Sequence, residues 1–248
     1  MDISIVIPAL NEERKIAPDI TTAAFFFGEA GLKGEVIVVD DGSTDHTFHN
    51  ALTAMVPEAV RRWVLRLDKN SGKGAALQAG VRETTGAVVL VADSGTCIPY
   101  ADALPAYARI RAGEADIALA SRVHPDTVIC RNRPFARRVV SRAFRGAASL
   151  VAKLPKEISD SQCGFKLYRG DVARDLFAGL ETKGFVFEVE ILLKAKGLNL
   201  RIEEFPVHWS CDPDTRLRPG SQAITVFKEL RRIRKIMRLD TGASNAHP

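Results

Sequence analysis

Cysteine is scarce in this chain and its four copies stand apart: Cys97, Cys130, Cys163 and Cys211 form no CxxC pair. That spacing argues against a zinc site and against a secreted disulfide framework, so a reducing compartment is the simplest expectation. Long apolar runs are missing too. The stretches around Ala23 to Phe27 and Ala87 to Ala92 fall far short of the about 20 residues a spanning helix needs, and a soluble or peripheral protein is expected. No basic leader with a cleavage site precedes the first strand-like run, so no signal peptide is expected. His46, His49, His124, His208 and His247 show no metal-ligand spacing. There is no internal repeat and no linker that divides the chain.

What is present describes an ordinary globular chain of 248 residues, 46% hydrophobic and 26% charged, sized for one large domain with a full core. Strand and helix signals alternate through the first half. Strands are expected at Ile3 to Pro8, Glu35 to Val39, Arg62 to Leu67, Ala87 to Val91 and Asp116 to Ala120. Helices are expected at Glu12 to Ala30, Asp45 to Val56, Gly74 to Thr84 and Ala101 to Arg111. Such alternation specifies an α/β fold with a mostly parallel central sheet flanked by helices. The second half reads as a basic helix at Arg133 to Leu154, an extended segment at Glu157 to Tyr168, helices at Asp171 to Leu180 and Phe187 to Lys196, a strand at Leu200 to Trp209, and a helix at Gln222 to Met237. Residues 238–248 are expected to be a flexible tail.

Two acidic clusters fall at strand ends, Val38-Val39-Asp40-Asp41-Gly42-Ser43-Thr44-Asp45 and Val91-Ala92-Asp93-Ser94-Gly95. Open α/β sheets bind ligands at the carboxyl ends of their strands, and carboxylates there suit nucleobase and ribose donors or a hard divalent cation. Asp-Gly-Ser is also ordinary turn chemistry, but a turn does not require two adjacent carboxylates, which repel until something positive or hydrogen-donating arrives. Pro8 marks the place where the first strand leaves the sheet, bringing Asn11 and Glu12 beside Asp40 and Asp41. In Asn70-Ser71-Gly72-Lys73-Gly74 a lysine sits between glycines at a helix start, a turn expected to offer N–H groups and a cation to an anion. It lacks the spacing and terminal Ser/Thr of a P-loop. The net charge of +5 is modest but clustered. Arg131, Arg133, Arg137, Arg138, Arg142 and Arg145 fall in one segment, and Lys228 to Arg238 form another; either suits phosphates or an anionic membrane surface.

Taken in order, Ile7-Pro8-Ala9-Leu10-Asn11-Glu12, Val38 to Asp45, Asn70 to Gly74, Ala92-Asp93 and Ser161-Gln162-Cys163-Gly164-Phe165-Lys166 resemble family 2 glycosyltransferases with a GT-A fold. Within that family the chain looks most like the dolichyl-phosphate mannose and glucose synthases and their bacterial relatives, over roughly residues 1 to 237. The resemblance implies one glycosyltransferase domain, residues 1–122 forming a nucleotide-sugar half and 123–237 an acceptor half. It places Pro8, Leu10 and Glu12 around the nucleoside, Val39 and Asp41 against the base, and Lys73 near the same pocket. Ala92 and Asp93 would meet the donor diphosphate, with Asp93 holding Mg2+ or Mn2+. Arg122 would face the phosphates of donor or acceptor, Lys166 would assist the leaving diphosphate, and Arg216 or Arg218 would belong to a loop that closes over the donor.

One departure stands out. The family usually carries Asp-x-Asp at the end of the fourth strand, and here the first position is Val91, so metal affinity is expected to be weak and donor-assisted. The implied reaction is inverting transfer of a hexose from a GDP- or UDP-sugar to a polyprenyl phosphate, with Arg133 and Arg138 gripping the acceptor phosphate at the cytoplasmic face of a membrane. A hydroxyl acceptor would instead need a carboxylate base, for which Glu188 and Glu190 are the candidates. A non-catalytic nucleotide-sugar binding module is the third reading. No nucleic-acid partner is expected; a membrane-protein partner and a homo-oligomer both stay open.

Overall fold

The computed structural model describes residues 1–131 and 158–211, together with residues 229, 232 and 233. Its strands are β1 (Ile3–Ala9), β2 (Gly34–Asp40), β3 (Arg61–Arg66), β4 (Val88–Ala92), β5 (Ile117–Ala120), β6 (Val128–Arg131), β7 (Phe165–Arg169), β8 (Ile202–Phe205) and β9 (His208–Ser210). Its helices are α1 (Ile16–Ala30), α2 (Thr47–Thr53), α3 (Lys73–Arg82), α4 (Leu104–Arg111), α5 (Gly170–Ala178) and α6 (Phe187–Gly197), with a 3-10 turn at Tyr100–Ala103 before α4. Seven strands form one sheet in the order β3-β2-β1-β4-β7-β5-β8, and β6 pairs with β9 apart from it. All neighbours in the large sheet are parallel except β7, which runs antiparallel to both β4 and β5.

β2 is buried along its whole length, as expected for a parallel strand covered by helices on both faces. One apolar layer gathers Ile3, Ile5 and Ile7 with Phe27 of α1; the other gathers Val6, Ile37 and Val39 with Leu77 of α3 and Phe187 of α6. The alternation Ile5, Val6, Ile7 thus divides one strand between two layers.

Three boundaries differ from the expected ones for local reasons. α1 begins at Ile16 rather than Glu12, because Pro18 lacks an N–H and fits only the first turn, where that group needs no partner. The expected strand from Leu200 to Trp209 is two strands split at Pro206, β8 in the main sheet and β9 in the small one. Of the extended segment from Glu157 to Tyr168, only Phe165 onward is strand, and β6 had no counterpart among the expected elements. The helices expected at Arg133 to Leu154 and Gln222 to Met237 lie outside the described residues, apart from 229, 232 and 233. No described helix is long and apolar enough to cross a membrane.

Candidate active site

The strand directions bring the motifs together. β1, β2 and β4 end at one edge, and the reversed β7 starts there, with Ala92 opposite Phe165 in the ladder. The backbone stitches the turns that follow: Asp41 N–H donates to Ala9 O at 2.8 Å and Asp93 N–H to Gly164 O at 2.9 Å.

At the β2 end, the paired carboxylates take their contacts from the chain itself, although Asp40 Oδ2 has no hydrogen-bond partner among the described residues. Asp40 is fully buried, accepts from Ser43 N–H at 3.0 Å and has Arg66 Nε 3.3 Å from its other oxygen. Asp41 accepts from Ser71 N–H at 2.7 Å and Gly72 N–H at 2.9 Å, one on each oxygen. Burial raises its pKa, and those two donors hold the rise back. Gly42 makes this contact feasible: its φ is +72°, and a Cβ there would lie 2.5 Å from the Lys69 backbone carbon. Asn11, at φ +51°, ties the β1 end to the same turn, its N–H donating to Ser43 Oγ at 2.7 Å and its Oδ1 accepting from Thr44 N–H at 2.8 Å. Glu12 is ion-paired with Lys15 at 2.8 Å. Pro8 and Leu10 are half-buried at this edge. Val39, expected against the base, has its side chain in the apolar layer. It is fully buried under α3, whose Gly80 is bare enough to admit its methyl group, and Ala92 is buried in the strand as well.

The Gly-Lys-Gly turn differs from its expected arrangement. Four of its N–H groups are taken up within the chain: those of Ser71 and Gly72 go to the Asp41 carboxylate, and those of Gly74 and Ala75 go to Lys183 O at 2.8 and 3.3 Å. Both glycines are required by close backbone approach, since a Cβ on Gly72 would meet Lys183 O at 2.4 Å and one on Gly74 would meet Thr182 O at 2.4 Å. What the turn presents is Lys73, whose Nζ lies 2.7 Å from Asp93 Oδ1 and 5.7 Å from the Phe187 ring centroid. Burial pulls the Lys73 pKa down, but Asp93 and Glu188 outweigh it and the ammonium ends above its usual value. Asp93 is 46% exposed and is the open carboxylate of the pair. Gly164 lies beneath it, and a Cβ there would overlap its Oδ2.

Asp19 was missed in the sequence because a lone acid in the first turns of a helix carries no motif. It is buried, its Oδ2 accepts from Ser94 Oγ and Gly95 N–H at 2.7 Å each, and its Oδ1 accepts from Thr96 Oγ1 at 2.5 Å. It therefore ties down the loop after Asp93, where Gly95 has φ +108° and Thr96 has φ +44°.

The acceptor-side candidates are held just as firmly. Arg122 makes a two-pronged contact with the buried Asp160, Nε to Oδ2 at 2.6 Å and Nη2 to Oδ1 at 2.7 Å. Glu204 accepts from Ser159 N–H and Asp160 N–H at 2.8 Å each, so the 158–162 loop is pinned from two sides. Lys166 is 2% exposed and reaches Glu188 Oε1 at 2.5 Å and Cys163 O. Burial pushes the Cys163 thiol up to about 11, which keeps it protonated and inert. Glu190 accepts from Glu181 N–H at 2.9 Å, Thr182 N–H at 2.7 Å and Lys194 Nζ at 2.7 Å, fixing the turn that clamps Gly72 and Gly74. Neither Glu188 nor Glu190 is a free base. Arg133, Arg138, Arg216 and Arg218 lie outside the described residues.

Residues 4–177 match the model of the family described as glycosyl transferase family 2. The chain belongs to that family. It is 31% identical over 244 residues to a dolichyl-phosphate beta-glucosyltransferase of Dictyostelium discoideum, covering 94% of this chain and 73% of that one. A protein of the same description from Drosophila melanogaster is 33% identical over 230 residues, covering 88% and 70%. Among solved structures, the glucosyl-3-phosphoglycerate synthase of Mycobacterium tuberculosis in complex with Mn2+, uridine diphosphate and glucosyl-3-phosphoglycerate superposes with a TM-score of 0.66 at 21% identity, covering 95% of this chain and 79% of that one. This family 2 glycosyltransferase therefore has the GT-A fold.

Divalent ions accompany the nucleotide in that neighbour, so the fit of a metal to this glycosyltransferase can be tested on its own residues. Among the described residues no group of three or more His, Cys, Asp or Glu converges. Position 91, where the family pattern has its first Asp, is buried beside Val6 in the sheet, so a carboxylate there would point into the apolar layer. Moving the pattern forward to Asp93-Ser94-Gly95 leaves a glycine at the second place. Either way one carboxylate remains, and Lys73 is already paired with it. The described residues therefore do not by themselves form a seat for Mg2+ or Mn2+.

Proposed function

We propose that this glycosyltransferase moves a hexose, glucose before mannose, from a nucleotide-diphosphate donor to a polyprenyl phosphate with inversion at the anomeric carbon. The dolichyl-phosphate beta-glucosyltransferase relatives support both the acceptor class and glucose as the sugar. The observation that carries the acceptor class is the partnering of the carboxylates at the site: Glu12 with Lys15, Asp93 with Lys73, Asp160 with Arg122 and Glu188 with Lys166. A hydroxyl acceptor needs a base to take its proton, whereas a phosphate monoester arrives ionised. A phosphate oxygen then attacks the anomeric carbon while the bond to the diphosphate breaks, and the departing nucleoside diphosphate keeps the electron pair. The demand on the protein is positioning and charge control. Lys73 faces the departing charge; Lys166 and Arg122, locked to Glu188 and Asp160, position the strand and loop around it.

The test is transfer of labelled sugar from UDP-glucose and from GDP-mannose to polyprenyl phosphate in vesicles, followed by partition into organic solvent. Label in the organic phase with UDP-glucose is the expected result. Label confined to water-soluble hydroxyl acceptors would overturn the reading.

A further inference from the structure

We propose that Lys73, and not a divalent ion, is the resident cation that meets the donor diphosphate in this chain, with Asp93 holding its ammonium in place. The inference rests on the glycosyltransferase reading of the site and concerns how that site balances charge.

Four observations carry it. Lys73 is aimed by its backbone: Gly72 and Gly74 abut the 182–183 turn, and Glu190 fixes that turn from behind. Its side chain is only 16% exposed and its Nζ lies 2.7 Å from Asp93 Oδ1, so a divalent ion on that oxygen at about 2.1 Å would have to displace it. The loop that follows brings no second carboxylate beside Asp93, since Ser94, Gly95 and Thr96 stand there and both hydroxyls are drawn onto Asp19. Of the neighbouring carboxylates, Asp41 accepts from Ser71 and Gly72 N–H, Glu12 pairs with Lys15, and Asp40 is fully buried with Arg66 beside it. Asp68, exposed past the end of β3, is three strand positions from β4, roughly 14 Å away.

The ammonium has three donors and Asp93 takes one, so two remain for diphosphate oxygens. Glu188, which also sustains the Lys73 charge, is buried against Lys166 and does not compete for those donors. A fixed, partly desolvated cation of this kind stabilises the leaving diphosphate without a metal to bring in or release.

Isothermal titration of the full chain with UDP and with GDP, in EDTA and then in Mn2+, tests this. The nucleotide that binds should do so within about two-fold under both conditions. Lys73→Gln should weaken it about ten-fold or more in EDTA, as expected for losing a charge-assisted contact to phosphate. The parent nucleoside, which lacks phosphate, should bind the variant as it binds the native chain, and so reports that the pocket is intact. Tightening of about ten-fold or more by Mn2+ would overturn the inference while leaving the donor reading standing. Unchanged nucleotide binding by Lys73→Gln would also overturn it. If neither nucleotide binds under any condition, the donor reading itself fails and takes the inference with it.

Discussion

Asp19 holds the loop that follows Asp93, and its removal should be felt in two measurements. Asp19→Ala leaves one N–H and two hydroxyls without their acceptor in a loop that already holds Thr96 in a left-handed conformation, so unfolding in urea should show a loss of about 2 to 4 kcal/mol. Donor KM should rise with it, since Asp93 follows the loop. Burial raises the Asp19 pKa above its ordinary 3.8, against the pull of Thr96, Ser94 and Gly95. Its folded form therefore holds a proton that the unfolded chain has released, and stability falls as pH climbs from 3.8 through the raised value. Asp19→Asn should flatten that slope, and urea midpoints across this range check it; an identical slope in the variant assigns the titration elsewhere. Arg122→Lys tests the acceptor side. Lysine cannot reproduce the planar fork on buried Asp160, and a loss of about 2 to 3 kcal/mol is expected in the same assay.

Between elements, the contact that matters most is that of the α3 start with the 181–184 turn. Gly72→Ala places a Cβ 2.4 Å from Lys183 O at a φ of +98°, so it should destabilise by about 1 to 3 kcal/mol and lower nucleotide affinity together, because the clamp aims Lys73. A Gly72→Ala chain with native urea midpoint and native affinity would show that the turn yields freely. The motif was legible in the sequence as a lysine between glycines, but its partner was not: nothing local in Thr182 and Lys183 announces that α3 will press on them. The same limit explains most of the differences. Parallel strands and their helices were legible because their apolar runs are local signals, whereas the contact between Lys73 and Asp93 joins segments twenty residues apart and is set by the fold. β7 was not legible as an antiparallel intruder between β4 and β5, since strand direction comes from tertiary pairing. Asp40 and Asp41 read as waiting for a ligand because their donors, Arg66, Ser71 and Gly72, arrive from a different strand and turn. Asp19 was invisible for the same reason, its partners being 75 to 77 residues away.

At the scale of the whole molecule, a net charge of +5 must find an anionic partner or remain solvated, and its uneven placement decides between these. The basic segment that holds Arg133 and Arg138 follows β6 directly in the sequence. Guanidinium groups suit phosphate by their paired donors, and attraction to a lipid surface is screened beyond about 10 Å at 0.1 M salt. Binding to vesicles containing anionic lipid should therefore fall steeply as salt is raised, with neutral vesicles binding weakly throughout. Arg133→Ala combined with Arg138→Ala should cut transfer to polyprenyl phosphate about ten-fold or more, the consequence of losing two phosphate contacts, while UDP affinity stays native because Lys73, the proposed diphosphate contact, is untouched. The two readouts separate a grip on the acceptor from a general loss of fold. Normal transfer by the double variant, with vesicle binding still salt-sensitive, would move the acceptor contact to the second basic segment, Lys228 to Arg238. Normal transfer with salt-insensitive binding would make both segments solvated faces.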